Sequence, residues 1–434
     1  MSCKKSGIFV NDNFFSVHLA AVVCDAPARA FVKCVKGHSG YYACERCTQE
    51  GAYFDNKMTF PDMNAPARTN QQFLSAADED HQLGISPLVS LGIGCVSQFP
   101  LDYMHLVCLG VVRRMIFLWL QGPKKHGLGT STITDISQSL LSLRNNIPSE
   151  FCRRPRSLFE VRNWKATEFR QFLLYSGPIV LAGKLPQPIY RCFMLLSVAL
   201  RILLSEKLCQ TYCDYADELL RVFVKNLAGI YGQGVLVYNV HSLVHLAQDA
   251  RKYGALDNVS SFPYENYLGQ LKRQARKAGS HVSELVRRIA ERERARESSC
   301  CEKQLQQPVT LQKEHREGPL PAEFASCCQY KRINLNGYVI SCKEGDNCCE
   351  VNGSPVIIHN ILRSLSHDIY FVYEDFMQSD LLFSYPLQSS AVGIKVLYRP
   401  AGSLRVVSMN DVGQKCALFR HKDSFIAVPF IHHY

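Results

Sequence analysis

Two cysteines three positions apart, Cys44-Glu45-Arg46-Cys47, lie in a stretch of chain that has little else to hold it. From Cys34 to Gly51 the sequence is a Cys- and Gly-containing turn region, and from Asn56 to Ser86 it is polar, with the Asn and Pro of loops. A stretch of this kind folds only around something that fixes it. Two thiolates at this spacing bite one tetrahedral zinc through a tight turn. No thioredoxin-like βαβ pattern accompanies the pair, so a structural zinc site is expected in preference to a redox pair. The remaining ligands stay open: Cys34 and His38 would close a local knuckle, whereas His105, or His241 and His245 one helical turn apart, must be brought in by the fold. Against these stands the plain alternative that His241 and His245 pack on a helix face. His241-Ser-Leu-Val-His245 lacks the glutamate of a zinc protease, which excludes that chemistry.

The rest of the chain sets the frame for that site. At 434 residues, two or three domains are expected, and 47% hydrophobic with 20% charged residues excludes a largely disordered chain or a rod. Nineteen cysteines without an export signal point to reduced thiols rather than a disulfide framework. The apolar stretches around Met115–Leu120 and Phe193–Leu204 fall short of the roughly 20 residues that span a bilayer, and no secretory segment precedes Asn11. An intracellular, soluble protein without a membrane partner is expected.

Phe14–Cys24 is an apolar, β-branched run ending at Asp25-Ala26-Pro27, which reads as a buried strand with an acid at its end. Residues 1–100 are expected to hold this strand and the cysteine region, 101–238 a helical block with apolar residues at three-to-four spacing, and 239–298 further helices. The helix from Tyr264 stops near Gly279, and Ser280 caps another to about Arg296. Residues 299–325 read as a linker, and 326–434 as short β-runs of a small barrel or sandwich.

Charge is unevenly spread. The net +11 suits a polyanion if it clusters, and between Glu265 and Arg296 nine Lys or Arg face four acids. Lys272, Arg273, Arg276, Lys277, Arg287 and Arg288 are the candidate phosphate contacts; the plain alternative is a solvated helix surface. Three acids, Asp25, Asp102 and Glu265, could converge on divalent ions, since two Mg²⁺ about 4 Å apart activate a nucleophile and stabilise a leaving oxygen. Taken singly, each has a local use: Asp25 as a turn residue, Asp102 as an N-cap, and Glu265 as a first-turn acid.

Several motifs in register carry a resemblance. Val23-Cys24-Asp25-Ala26-Pro27-Ala28-Arg29-Ala30, then Gly37-His38-Ser39-Gly40-Tyr41-Tyr42-Ala43-Cys44-x-x-Cys47, then Asp102-Tyr103-Met104-His105-Leu106-x-x-Leu109-Gly110 resemble the transposase of CACTA (EnSpm-like) DNA transposons. His241-Ser-Leu-Val-His245-Leu246, Gly254, Phe262-Pro263-Tyr264-Glu265-Asn266-Tyr267-Leu268-Gly269 and Lys272 are similar to the domain of unknown function that follows that core. The similarity covers about residues 15 to 295. It implies an α/β ribonuclease H-like core of the DDE/D type with a large helical insertion, Mg²⁺-dependent cleavage and joining of double-stranded DNA, and a nuclear location. Self-association is compatible with it. By the resemblance, Asp25 matches the second catalytic acid and Glu265 the third, Cys44 and Cys47 match the cysteine pair, and Asp102 and His105 belong to an Asp-x-Met-His signature. Only some 14 residues precede the strand ending at Asp25, so the first three strands and the first acid are expected to be missing. Losing one metal-binding carboxylate removes most of a two-metal site's power. The expectation is therefore an incomplete core in which binding outlasts catalysis.

Overall fold

The computed structural model describes residues 7–11, 13–122, 127–274, 281–299, 309–335 and 337–431. The chain divides into two compact units, each assembled from separated segments: 1–130 with 182–261, and 131–181 with 262–434. Each mixes helix and sheet differently. The first is mainly helical with two small hairpins, and the second carries a C-terminal β-rich domain.

In the first unit the expected buried strand does not form. Only Asn13–Phe15 is extended into a ladder, paired with Ile8–Val10, and both short strands are exposed. A β-run is stable only with neighbours to complete its hydrogen bonds, and a lone two-stranded hairpin is marginal. Residues 16–24 have no regular structure. The chain instead turns into the helix Ala26–Lys33, with Pro27 in the first turn and Cys34 closing the end in the left-handed region at φ 54. A second hairpin pairs Ala52–Phe54 with Lys57–Thr59. Its two-residue turn, Asp55-Asn56, has both φ positive (53 and 58), as the twist of a tight hairpin demands and as Asp and Asn tolerate.

The helical part of this unit starts at Met104–Val112, wound as a π-helix, and continues as Arg113–Gln121. Gln187–Leu204 is next, apolar on nearly every side because it is the central helix, and Ser205 alone joins it to Glu206–Tyr231 while capping that helix through the Leu208 N–H. Trp119 and Phe193, fully buried with ring centroids 6.0 Å apart, lock the central helix to the earlier one. Two 18-residue stretches, 104–121 and 187–204, have a mean hydropathy of 1.4; 78% of the second is buried inside the protein. The unit ends with Tyr238–His241, a tighter turn over Ser242–His245, and the helix Leu246–Tyr253, stopped by Gly254 at φ 77.

Among the described residues of the second unit nine antiparallel strands make one sheet, and six of them close on themselves. Ser354–Arg363 pairs with both Ile369–Asp380 and Cys348–Val351, and Lys395–Ser408, Ser424–Pro429 and Val412–His421 complete the ring. Closure removes the exposed edges that an open sheet must protect. Thr310–His315 pairs with Cys328–Leu335, so the expected linker 299–325 contains a strand. The 131–181 segment belongs with this barrel rather than with the rest of the expected helical block. Lys415, with a side chain 1% exposed, reaches Glu150 Oε1 and Oε2 at 2.9 and 2.8 Å and Asp346 Oδ1 at 2.6 Å. Phe430 stacks against Phe151 and Tyr175, and the Ile431 N–H donates to the Tyr175 hydroxyl at 3.3 Å. Phe262–Gln274 and His281–Ser299 are helices, and residues 275–280 between them lie outside the described residues.

Candidate metal centre

Cys44, Cys47, His241 and His245 bring one ligand atom each to within 4.8 Å of one another. His241 Nε2 is 3.3 Å from both sulfurs, His245 Nε2 is 3.6 Å from Cys44 Sγ, and the sulfurs are 3.4 Å apart. A tetrahedron with metal–sulfur bonds of about 2.3 Å and metal–nitrogen bonds of about 2.0–2.1 Å has S···N edges of about 3.5 Å and an S···S edge of about 3.8 Å. The four atoms therefore form a cage of the size that a Cys2His2 site for a metal such as zinc requires. The cysteines come from the loop before the second hairpin. The histidines come from the 238–245 turns, some 200 positions later, where tightening to a 3₁₀ turn sets both rings on one side, 5.3 Å apart. The Cys47 thiol is held below its ordinary value by the adjoining Cys44 thiol, with burial opposing and the Gln49 N–H and Arg68 assisting. Neutral imidazoles and lowered thiols are the forms that ligate metal.

The other expected ligands do not join them. Cys34 terminates the 26–33 helix, and His38 is exposed, its ring 6.2 Å from that of Tyr238. His105 Nδ1 lies 2.5 Å from Asp102 Oδ2. Cys34 and His38 are not in the cluster of four; beyond Cys34 the backbone is tied to Ala30 through the Val35 N–H, and the Cys34 carbonyl accepts the Leu83 N–H.

Both residues between the cysteines are buried and charged, which spacing alone did not flag. Glu45 accepts from Arg29 Nε at 3.0 Å, Lys33 Nζ at 2.6 Å and the Tyr238 hydroxyl at 2.9 Å. Burial would raise its pKa, but Arg29 and Lys33 hold it well below the carboxylate range. Arg46 donates to Asp249 Oδ1 and Oδ2 at 2.6 and 2.8 Å and to the Phe99 carbonyl at 2.8 Å. Asp249 also accepts the Leu101 N–H at 2.7 Å. Arg68 Nε spans the carbonyls of Cys44 and Cys47 at 2.9 and 3.0 Å. Glu45 thus ties the cysteine loop to the residue three before His241, and Arg46 ties it to the residue four after His245. The one available signal was Asp249, which falls a helical turn beyond His245 in the sequence.

The three acids are used locally. Asp25 is the N-cap of the 26–33 helix, accepting the Ala28 N–H at 2.8 Å. Asp102 is 2% exposed, and its two oxygens accept the N–H groups of Met104 and Ser261 and, on the other oxygen, the N–H and the ring of His105. Burial pushes its pKa up, but the His105 and Ser261 hydrogen bonds win and hold it below the ordinary carboxylate value. Four donors leave no room on that carboxylate for a divalent ion, so Asp102 is a clasp between the start of the π-helix and Ser261. In the same signature Gly110 is closely packed: a Cβ there would lie 2.5 Å from Asn239 Nδ2 and 3.0 Å from the His105 carbonyl oxygen. Glu265 is exposed in the first turn of Phe262–Gln274, in the other unit.

Of the candidate phosphate contacts, Lys272 and Arg273 are exposed, and Arg273 Nε donates to the Gly269 carbonyl at 3.3 Å. Arg287 and Arg288 both pair with Glu291, at 3.5 and 3.0 Å. Arg276 and Lys277 lie outside the described residues.

A family model described as Domain of unknown function (DUF8592) matches residues 314–430, a span that contains the six barrel strands and the strands just before them. No curated protein and no solved structure matches the chain.

Proposed function

We propose that this protein is a zinc-organised, non-enzymatic DNA-binding protein derived from a CACTA-type transposase. The observation that carries the reading is the convergence of Cys44-x-x-Cys47 with His241-x-x-x-His245. Both are motifs of the resemblance, and their meeting across about 200 residues is what a shared, inherited zinc site requires. Zinc is the ion of choice because two thiolates with two imidazoles in a tetrahedral cage suit it, whereas Mg²⁺ takes hard oxygen ligands. The ion closes the cysteine loop onto the 238–245 turns and does no chemistry on substrate.

The ribonuclease H-like ancestry enters through these motifs and not through a sheet, since the described residues of 7–100 form two hairpins. Strand cleavage with Mg²⁺ is left out of the reading because Asp25 caps a helix and Asp102 is saturated by four donors. The surviving role is binding: Lys272 and Arg273, with Arg276, Lys277, Arg287 and Arg288, contact the phosphates of double-stranded DNA in the nucleus. The near-neutral segment 314–430, which contains the barrel, has 11 Lys or Arg against 12 Asp or Glu and so no charge excess to attract DNA.

The test is salt-dependent DNA binding by the zinc-loaded protein. Affinity should fall steeply with salt, and substituting Lys272 and Arg273 by Ala should flatten the logarithmic slope by about one unit for each phosphate no longer neutralised. Absence of binding at low salt would remove the reading. Robust Mg²⁺-dependent nicking abolished by Glu265→Gln would restore the enzyme.

A further inference from the structure

Cavities of small-ligand size open on the first unit, and the linings of three of them differ in charge. One of about 430 Å³ is lined by Asp78, Glu79 and Asp80 with Arg68, and one of about 650 Å³ by Glu206 and Asp214 with Arg251. The third, of about 350 Å³, contains no carboxylate in its lining. Its charged or chargeable groups are Lys57 and His38, its polar groups include Asn56 and Asn239, and its aromatic walls are Tyr53 and Tyr238. Tyr53 is 63% exposed and Lys57 is exposed, while Tyr238 is buried with its hydroxyl on Glu45.

We propose that this cavity binds one nucleotide unit, its phosphate on Lys57 and His38 and its base against Tyr53. Its volume lies at the lower end of the roughly 300–1,000 Å³ of small-molecule sites, enough for a single nucleotide. A lining with a cation, an imidazole and two side-chain amides but no acid favours an anion that also carries hydrogen-bonding groups. An aromatic ring left in solvent at the mouth of such a cavity is a stacking platform for a base. The proposal rests on the nucleic-acid reading above for the source of the ligand, although the cavity's chemistry does not depend on the basic helices.

The metal cage and the cavity draw on neighbouring stretches of chain. Asn239 lies two residues before His241, and Ser39 five before Cys44. The hairpin that supplies Tyr53 and Lys57 is fastened at both ends, by the Gly51 N–H on the Tyr41 carbonyl at 2.5 Å and the Phe60 N–H on the Leu236 carbonyl at 2.7 Å. A metal in the cage would tie these stretches together, so removing it should open the cavity.

Saturation-transfer NMR on the zinc-loaded full chain tests this, with thymidine 5′-monophosphate as the probe. Binding should be saturable, at least about tenfold weaker for thymidine and for the Lys57→Gln protein, since one charge-assisted contact is worth about a factor of ten. Tyr53→Ser should weaken it as well, and chelation should abolish it. Both substitutions are at exposed positions, so the folded state is retained. No saturable signal, or equal signals from the native and Lys57→Gln proteins, would overturn the site. Displacement of the mononucleotide by a twelve-residue oligothymidylate supports a nucleic-acid strand as the source, and failure of the strand to compete overturns that source. Substituting Lys272 and Arg273 should weaken duplex binding and leave the mononucleotide signal unchanged; mononucleotide binding in a protein that binds no duplex would separate this site from the DNA-binding reading.

Discussion

At the scale of single residues, the centre depends on charges that water does not reach. Arg46 and Asp249 are both buried, and each has the other as its countercharge. Truncating one member of such a pair strands the other, at a cost of about 3–5 kcal/mol, whereas replacing both with apolar side chains costs far less. Arg46→Met should therefore lower the unfolding free energy of the metal-bound protein by about that amount, and Arg46→Met with Asp249→Leu should recover much of it, as urea titrations would read. His81 offers an independent check. It is 1% exposed, its Nδ1 lies 2.7 Å from the Tyr42 carbonyl, and burial followed by the charge of Arg68 pushes its pKa down to about 4. The unfolded chain, with a histidine pKa of about 6.5, takes up the proton first, so stability present above pH 6.5 is lost as pH falls towards 4. Between pH 7 and 5 the loss should be about 2 kcal/mol. His81→Asn, which keeps a donor for Tyr42, should remove that part of the pH dependence.

At the scale of elements, periodicity was a good guide where burial is simple and a poor one where pairing partners decide. The Gln187–Leu204 and Glu206–Tyr231 helices arise from apolar spacing and a single capping serine. The run Phe14–Cys24 has the composition of a buried strand, yet composition cannot supply a neighbouring strand, and Asp25 with Pro27 begins a helix directly behind it. Asp102 was legible as a cap from its local context, whereas Asp25 read as a turn residue and caps a helix; that Asp102 also clasps Ser261 was not legible, because the contact joins residues 159 apart. The cysteine pair was readable from its spacing, and the histidines were one of several alternatives until the fold brought them in. Gly110 sits on the element that carries this clasp. Gly110→Ala would force a Cβ into the Asn239 amide and displace the turn that leads to His241. Its zinc affinity should fall while its helix content, by circular dichroism, stays unchanged.

For the whole molecule, the two units are each discontinuous and do not follow sequence order. Residues 131–181 looked like the middle of one helical block, but Glu150, Phe151 and Tyr175 pack on the barrel. The reason is energetic: Lys415 is buried in the barrel wall, and Glu150 supplies one of its two carboxylate partners. Lys415→Met, which strands both carboxylates, should destabilise the second unit by about 3–5 kcal/mol, with Glu150→Gln in the same chain restoring part of it. In a thermal scan the metal-dependent transition should stay where it is, because the metal cage lies wholly in the first unit.

In the proposed function one zinc joins the cysteine loop to the 238–245 turns. X-ray absorption at the zinc edge, with metal content measured on the same purified protein, tests it most directly. The prediction is about one zinc per chain with two sulfur and two nitrogen neighbours, at about 2.3 and 2.0–2.1 Å, and loss of one nitrogen or of the metal in His241→Ala. Folded protein without zinc, or a zinc whose neighbours are unchanged by His241→Ala, would contradict it.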